Sequence, residues 1–188
     1  MNAPVDIGDA ILETERLVLR PWRETDLADF NEYASVDGVG QRAGWKPHES
    51  LEESQRILTG FIDHKKTFAL ELKENGKVIG SIGLEEENRH EGDIQGREGN
   101  PPKGQGREIG YVLSKDYWGQ GLMSEAVKRV ISYCFEEAGC DYLFCGHFLE
   151  NDQSRRVIEK CGFTFYGTCE FKTVMGDLKT GRLYLLIK

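Results

Sequence analysis

The sequence predicts an α/β (α+β) fold, and three stretches carry that prediction. In Glu108–Leu113, the residues Ile109, Tyr111 and Leu113 alternate with Gly110 and Val112, which is strand spacing. Beyond Trp118-Gly119-Gln120-Gly121, the residues Met123, Val127, Val130, Ile131, Cys134 and Phe135 repeat at the spacing of one apolar helix face. Asn75-Gly76 is a strong hairpin signal and makes Thr67–Lys73 and Val78–Leu84 antiparallel neighbours. Tyr142–Leu149 then returns beside Glu108–Leu113 through a helical crossover, expected to be right-handed.

The remaining elements follow in chain order. Leu12–Glu15 leads into Arg16-Leu-Val-Leu-Arg-Pro, a first strand that Pro21 ends. Thr25 or Asp26 is a candidate cap for a short helix carrying Leu27, Phe30 and Tyr33. Asp37–Pro47 is a glycine-rich loop of the kind that lines sites, with Trp45 as a substrate lid or a loop anchor. Ser50-Leu-Glu-Glu53 reads as a capping box opening a helix with Ile57, Leu58, Phe61 and Ile62 on its buried side.

From Glu85 to Arg107 the composition turns polar, with few apolar residues and two prolines. Such a segment buries too little to offset chain entropy, so a long, mobile hairpin loop is expected. It either covers an acceptor substrate or is an idle insertion; long loops of this kind are uncommon. After the central helix, Asn151 to Gly162 reads as a short helix with Val157, Ile158 and Cys161 apolar. Two final strands, Thr164–Val174 and Arg182–Lys188, are expected to meet across Gly176-Asp177 and Gly181.

The 188 residues suit one domain, 1–188, with a polar insert at about 85–107. The formal net charge of −8 argues against nucleic acid as a partner, because such binding relies on cations. No apolar run reaches spanning length, and Met1–Ala10 lacks the pattern of a signal peptide, so no membrane association is expected. The five cysteines, Cys134, Cys140, Cys145, Cys161 and Cys169, form no CxxC pair. They read as reduced thiols of a cytoplasmic protein, with no metal site.

The glycines at 119 and 121 stand where the central helix begins. The first amides of a helix lack internal partners, and the peptide dipoles leave partial positive charge there. Glycine lets an anion approach that backbone without meeting a Cβ, which is the physics of a phosphate cradle. No Gly-Lys-Ser/Thr follows and GxGxxG is absent, so neither a P-loop nor a dinucleotide fingerprint is present.

Trp-Gly-Gln-Gly-Leu-Met-Ser-Glu-Ala-Val, residues 118–127, resembles the acetyl-CoA pyrophosphate loop of GNAT-superfamily N-acetyltransferases. It is similar to the branch of ribosomal-protein N-terminal acetyltransferases, the RimJ/RimL type. That loop has the form Gln/Arg-x-x-Gly-x-Gly/Ala; here Trp118 takes the first place, Gly121 matches and Met123 takes the last. Some thirty residues later, Asn151-x-x-Ser154-x-Arg156-Val157-x-x-Lys160-x-Gly162-Phe163 resembles the last helix of the same branch. The opening Glu-Thr-Glu-Arg-Leu-Val-Leu-Arg-Pro, residues 13–21, shares the resemblance, which spans most of the chain apart from the insert and last hairpin.

The resemblance implies a mixed, mostly antiparallel sheet with splayed central strands flanked by helices. Pantetheine would enter between Glu108–Leu113 and Tyr142–Leu149, pairing with backbone near Tyr111, Val112 and Leu113. The diphosphate would lie on amides of Gly119, Gln120, Gly121, Leu122, Met123 and Ser124, with Asn151 near the thioester end. Asn151 and Ser154 also suit plain helix capping. Gly110 would suit a strand bulge.

The activity so implied is transfer of acetyl from acetyl-CoA, a co-substrate, to a primary amine. A neutral amine must attack, so a carboxylate has to remove a proton. Glu108 is the candidate base, against the plainer reading of a solvated strand-end charge; Glu86, Glu87 and His90 are rivals. The Val112 amide is a candidate oxyanion donor. Many relatives place a tyrosine acid seven residues after the helix-opening Asn. Ile158 stands there, which leaves Ser154 as the candidate acid, with Tyr111, Tyr166 and Tyr184 as further phenols.

The acceptor is a small-molecule amine or a protein N-terminus, and the protein a monomer or homodimer. A non-catalytic acetyl-CoA-binding regulatory module is the alternative. A third reading, cysteine chemistry, rests on Cys145 and His147 sharing a strand face.

Overall fold

The computed structural model describes residues 1–188, the side chain of Glu91 excepted. Eight strands form one sheet: β1 (Leu12–Glu13), β2 (Leu17–Pro21), β3 (Thr67–Leu72), β4 (Val78–Glu85), β5 (Gly106–Leu113), β6 (Tyr142–Phe148), β7 (Thr164–Lys172) and β8 (Leu178–Ile187). Their order is β1-β2-β3-β4-β5-β6-β8-β7. Every neighbouring pair is antiparallel except β5 and β6, joined through α3 (Leu122–Glu136).

The pleat sends alternate residues to opposite faces, and a different pair of helices covers each. Phe68, Leu70, Ile109 and Leu143 pack with Val127 and Val130 of α3 and Ile158 of α4 (Asp152–Lys160). Ala69 and Val112, from the other face, meet Phe30 and Tyr33 of α1 (Leu27–Ala34) and Leu58 of α2 (Leu51–His64). Fully buried side chains such as Leu58 each contribute about 1.5–3 kcal/mol.

Several expectations change. Asp26 does not cap α1 with its side chain. It takes both terminal nitrogens of buried Arg20, each at 2.8 Å, and accepts the Arg23 amide. Removing Asp26 would strand that buried arginine, at a cost of about 3–5 kcal/mol, more than the loss of a cap. The Ser50 hydroxyl does accept the Glu53 amide, but the Glu53 carboxylate reaches Glu49 rather than closing the box. Gly181 is not at the last turn: β8 already runs from Leu178, and Gly181 pairs with both Phe148 and Cys169. A Cβ there would lie 2.5 Å from the His147 carbonyl, so close approach explains the glycine.

Trp45 is an anchor. Its ring fills the space a Gly40 side chain would need and stands 5.1 Å from the His48 ring. The segment between β4 and β5 joins antiparallel neighbours, as the hairpin reading requires, but it is docked. Gln95 exchanges both backbone hydrogen bonds with Thr168, Glu98 donates to the Tyr166 carbonyl, and Ile94 packs against the buried cluster that includes Phe144, Tyr166 and Leu183. The segment therefore covers the outer edge of β7, the terminal strand of the sheet. The N-terminal residues are also built in: Ala3 and Ile7 are fully buried, and Ala3 bonds Gly106.

Candidate functional site

The site begins where β5 and β6 part. Their parallel register runs from Gly106 with Tyr142 to Ile109 with Cys145 and stops there. From Gly110 onward the edge of β5 facing β6 has no strand partner. The register of β5 with β4 continues unbroken through Gly110, so the expected bulge is absent and the strands splay instead. The open side of the wedge is closed by the N-terminal turns of α3 and α4.

Gly121 caps α3 at φ +78°, with no side-chain cap, and Gly119 stands at φ +76°. Among the described residues, the amides from Gly119 to Ser124 meet no hydrogen-bond acceptor. A Cβ on Gly119 would touch nothing within 4 Å. This is a row of free donors at the positive end of a 15-residue helix, which suits a diphosphate. Arg16 holds the loop in shape: it donates to the Gln120 carbonyl at 3.0 Å and grips the Glu125 carboxylate through Nε and its backbone amide.

A cleft of about 450 Å³ runs from this loop into the wedge. Tyr111, Val112, Leu113, Gly119, Gly121, Leu122, Met123, Ser124, Asn151 and Ser154 all line it. Gln120 does not; its side chain folds back to the Asp116 carbonyl. The lining also holds Arg42, Arg156 and Lys160 and, among the described residues, no carboxylate. In a chain of net charge −8, three cations with no anion mark a surface for a polyanionic ligand.

Asn151 caps α4, accepting the Ser154 amide at 3.2 Å, and donates to the Arg42 carbonyl. The Arg42 guanidinium returns to Asn151 and Gln153 and lies 4.9 Å over the Trp118 ring. The Trp118 indole donates to the Leu113 carbonyl. Ser154 Oγ is 2.8 Å from the Tyr111 hydroxyl. Burial, then Cys145, pushes the Tyr111 phenol well above its ordinary range.

Glu108 lies on the opposite face of β5 from Tyr111 and outside the cleft lining. The Arg89 guanidinium approaches both of its oxygens, at 2.5 and 3.3 Å, and also bonds Glu87. Burial raises the Glu108 pKa, against the opposing pull of Arg89. Burial works against the charge of Arg89 too, but Glu108 and Glu87 more than offset it. The structure thus gathers Glu108 and its rival Glu87 around one cation, while Gly110, next along that face, has open space above it.

His147 spends its ring on the Phe148 carbonyl and the Tyr184 hydroxyl, leaving neither nitrogen for Cys145. Burial holds the Cys145 thiol well above its ordinary pKa, so the cysteine reading loses its nucleophile. Tyr166 packs in a separate apolar cluster on the far face. Among the described residues no group of three or more His, Cys, Asp or Glu side chains gathers as a metal site. No helix among them is long and apolar enough to cross a membrane.

The family model for the acetyltransferase (GNAT) domain matches residues 16–164. The chain belongs to the GNAT acetyltransferase family. It is 28% identical over 158 residues to an uncharacterized N-acetyltransferase, YoaA, of Bacillus subtilis, covering 81% of this chain and 82% of the relative. A GNAT-family acetyltransferase from Bacillus anthracis superposes with a TM-score of 0.76 at 22% identity, covering 95% and 98% of the two chains. Ribosomal-protein-S5-alanine acetyltransferase from Vibrio fischeri does so with a TM-score of 0.71 at 20% identity, covering 95% and 97%. This acetyltransferase therefore moves acetyl from acetyl-CoA to an amine, and its free amides, wedge and cationic lining suit that co-substrate.

Sequence reasoning missed Arg16, Arg42 and Arg89 as site-building residues. Arg156 and Lys160 stood inside the quoted motif without a role.

Proposed function

We propose that the acceptor is the N-terminal amine of a protein, as in the ribosomal-protein branch, with small-molecule amines as the competing class. The similarity to the Vibrio fischeri S5-alanine enzyme supports this. So does an exposed apolar hairpin tip, Val174, Met175 and Leu178, whose Val174 amide bonds Gly44 of the loop between α1 and α2. The protein works in the cytoplasm as one domain, a monomer or a homodimer, without nucleic acid or membrane.

Acetyl-CoA supplies an activated thioester. Amides of Gly119, Gln120, Gly121, Leu122, Met123 and Ser124 hold its diphosphate, and backbone from Tyr111 to Leu113 lines its arm. Asn151 orients the thioester end. Arg156 and Lys160 add charge for its phosphates. Glu108, beside the open space over Gly110, takes the ammonium proton directly or through water. The register with β4 spends the Val112 amide on that strand, so the Leu113 amide on the wedge side takes its place as oxyanion donor, and the Ser154 hydroxyl donates to the departing sulfur.

The observation that carries the reading is the continuity of free amides at Gly119–Ser124 with the wedge between β5 and β6. Thiol release from acetyl-CoA, measured with a panel of N-terminal peptides and small amines, tests it. Preference for peptides by at least tenfold in kcat/KM is expected. Preference for small amines would overturn the acceptor class, and cofactor binding without any amine-dependent release would favour a regulatory module.

A further inference from the structure

We infer that Tyr111 is the positioning residue that aims the Ser154 proton into the cleft. The inference rests on the reading of Ser154 as the donor to the departing sulfur.

The geometry is a three-centre arrangement. The Tyr111 hydroxyl lies 2.8 Å from Ser154 Oγ and 3.1 Å from the Ser154 carbonyl. Both side chains line the cleft, Tyr111 from the splayed end of β5 and Ser154 from the first turn of α4. Ser154 is the only hydroxyl residue in α4, whose sequence is DQSRRVIEK. Ile158, one turn further, is buried in the core and offers the cleft nothing.

Two protons serve three oxygens. The carbonyl only accepts, while each hydroxyl donates once and accepts. In one arrangement the phenol donates to the carbonyl and Ser154 donates to the phenol oxygen, so no O–H points at the cleft. In the other the phenol donates to Ser154 Oγ, and the serine proton is left for a ligand. A sulfur gaining negative charge in the cleft favours the second arrangement, because there the serine proton is released to it while the phenol still holds Oγ in place. No covalent bond of either residue breaks. Tyr111 stays protonated throughout, consistent with the burial that holds its proton tightly. Ser154 keeps its proton, and the released thiolate takes one from solvent at the cleft mouth.

The arrangement also fixes the serine rotor. A first-turn serine commonly turns its hydroxyl back to local backbone. Here the Ser154 amide is already taken by Asn151 Oδ1, and the phenol holds the oxygen from the opposite side.

The test is a double-mutant cycle on single-turnover acetyl transfer, with acetyl-CoA affinity measured by calorimetry. Tyr111→Phe is expected to slow transfer roughly tenfold to a hundredfold, within the range for a proton donor, and to leave affinity within about threefold. Tyr111→Phe combined with Ser154→Ala is expected to be no slower than Ser154→Ala alone, because the two act as a unit. Additive losses, or an unchanged rate in Tyr111→Phe, overturn the inference.

A second readout needs no deletion. Fluorotyrosine placed at 111 is expected to shift its fluorine resonance when free CoA replaces acetyl-CoA, and not to shift in Ser154→Ala. A resonance unmoved in both proteins overturns the inference. Wild-type enzyme that releases no thiol with any amine would instead sink the underlying reading, and normal transfer in Ser154→Ala would remove the serine role itself.

Discussion

Arg89 holds Glu108 from two directions at once, with Nη1 2.5 Å from Oε2 and Nη2 3.3 Å from Oε1, while its plane rests 4.6 Å from the Phe171 ring. Glu108 belongs to a central strand, and Arg89 comes from the polar segment beyond β4. A residue of the central sheet thus depends on a stretch that looks like filler in sequence. The pair sets how readily the candidate base sheds its proton.

A pH profile reads that pair. Burial raises the Glu108 pKa and Arg89 draws it down. Turnover should therefore rise with pH through a value above the ordinary carboxylate range. Arg89→Met removes the downward pull, so the rising limb should move to still higher pH while acetyl-CoA affinity stays within about threefold. Glu108→Gln should abolish the limb and lower turnover roughly a hundredfold. The sign for stability follows the raised pKa: the Glu108 contribution is full below its unfolded value and lost as pH rises through the folded one. Arg89→Met should thus lose stability on going to neutral pH, by about 3–5 kcal/mol for an uncompensated buried charge. An unmoved limb in Arg89→Met would disconnect the pair from catalysis.

The cradle makes a different demand. Gly121 holds φ +78° at the start of α3, where an L side chain is strained by about 1–2 kcal/mol. Gly121→Ala should weaken acetyl-CoA binding about tenfold in calorimetry and lower the unfolding temperature by a few degrees. Arg16→Met, which frees the Gln120 carbonyl and Glu125 without touching the cleft, should give a smaller loss of affinity. Unchanged affinity in Gly121→Ala would mean that the anion rests elsewhere.

Charge in the cleft gives a salt signature. Arg156 and Lys160 line it, and no carboxylate among the described residues does. Lys160→Glu should raise the acetyl-CoA Kd roughly tenfold at low ionic strength, and the gap should narrow in half-molar salt as screening shortens the reach of charge. Equal Kd values at low salt would exclude Lys160 from phosphate binding.

The legible parts were local. Strand alternation, the Gly119–Gly121 punctuation and the α3 face sit within one continuous stretch, residues 108–136, and Asn75-Gly76 sets one strand pair by itself. The missed residues act across the chain. Arg16 reaches Glu125 and Arg42 reaches Asn151, each 109 positions away. Periodicity says nothing about such partners, because a surface arginine and a site-building arginine look alike along the chain. Gly110 shows the converse: a glycine in a strand signals that something happens, here a parting of strands rather than a bulge. Asp26 looked like a cap because caps favour aspartate, yet a buried arginine outbid the helix for it.

The docked segment yields the last prediction. Ile94 and Gln95 lie against Gly167 of β7, where a Cβ would come within 2.5 Å of Ile94 Cγ2 and 3.0 Å of the Gln95 carbonyl. That carbonyl accepts the Thr168 amide, so moving it opens the edge of β7. An exposed strand edge is a template for pairing with another chain. Gly167→Val should therefore lift residues 94–98 off the edge and give concentration-dependent association by light scattering. Acetyl-CoA affinity should hold within about threefold, because the cleft is built from other elements. Turnover should fall, because Arg89 lies in the same segment and would lose its seat on Phe171. A monodisperse variant with full turnover would show that this segment neither guards the edge nor serves the base.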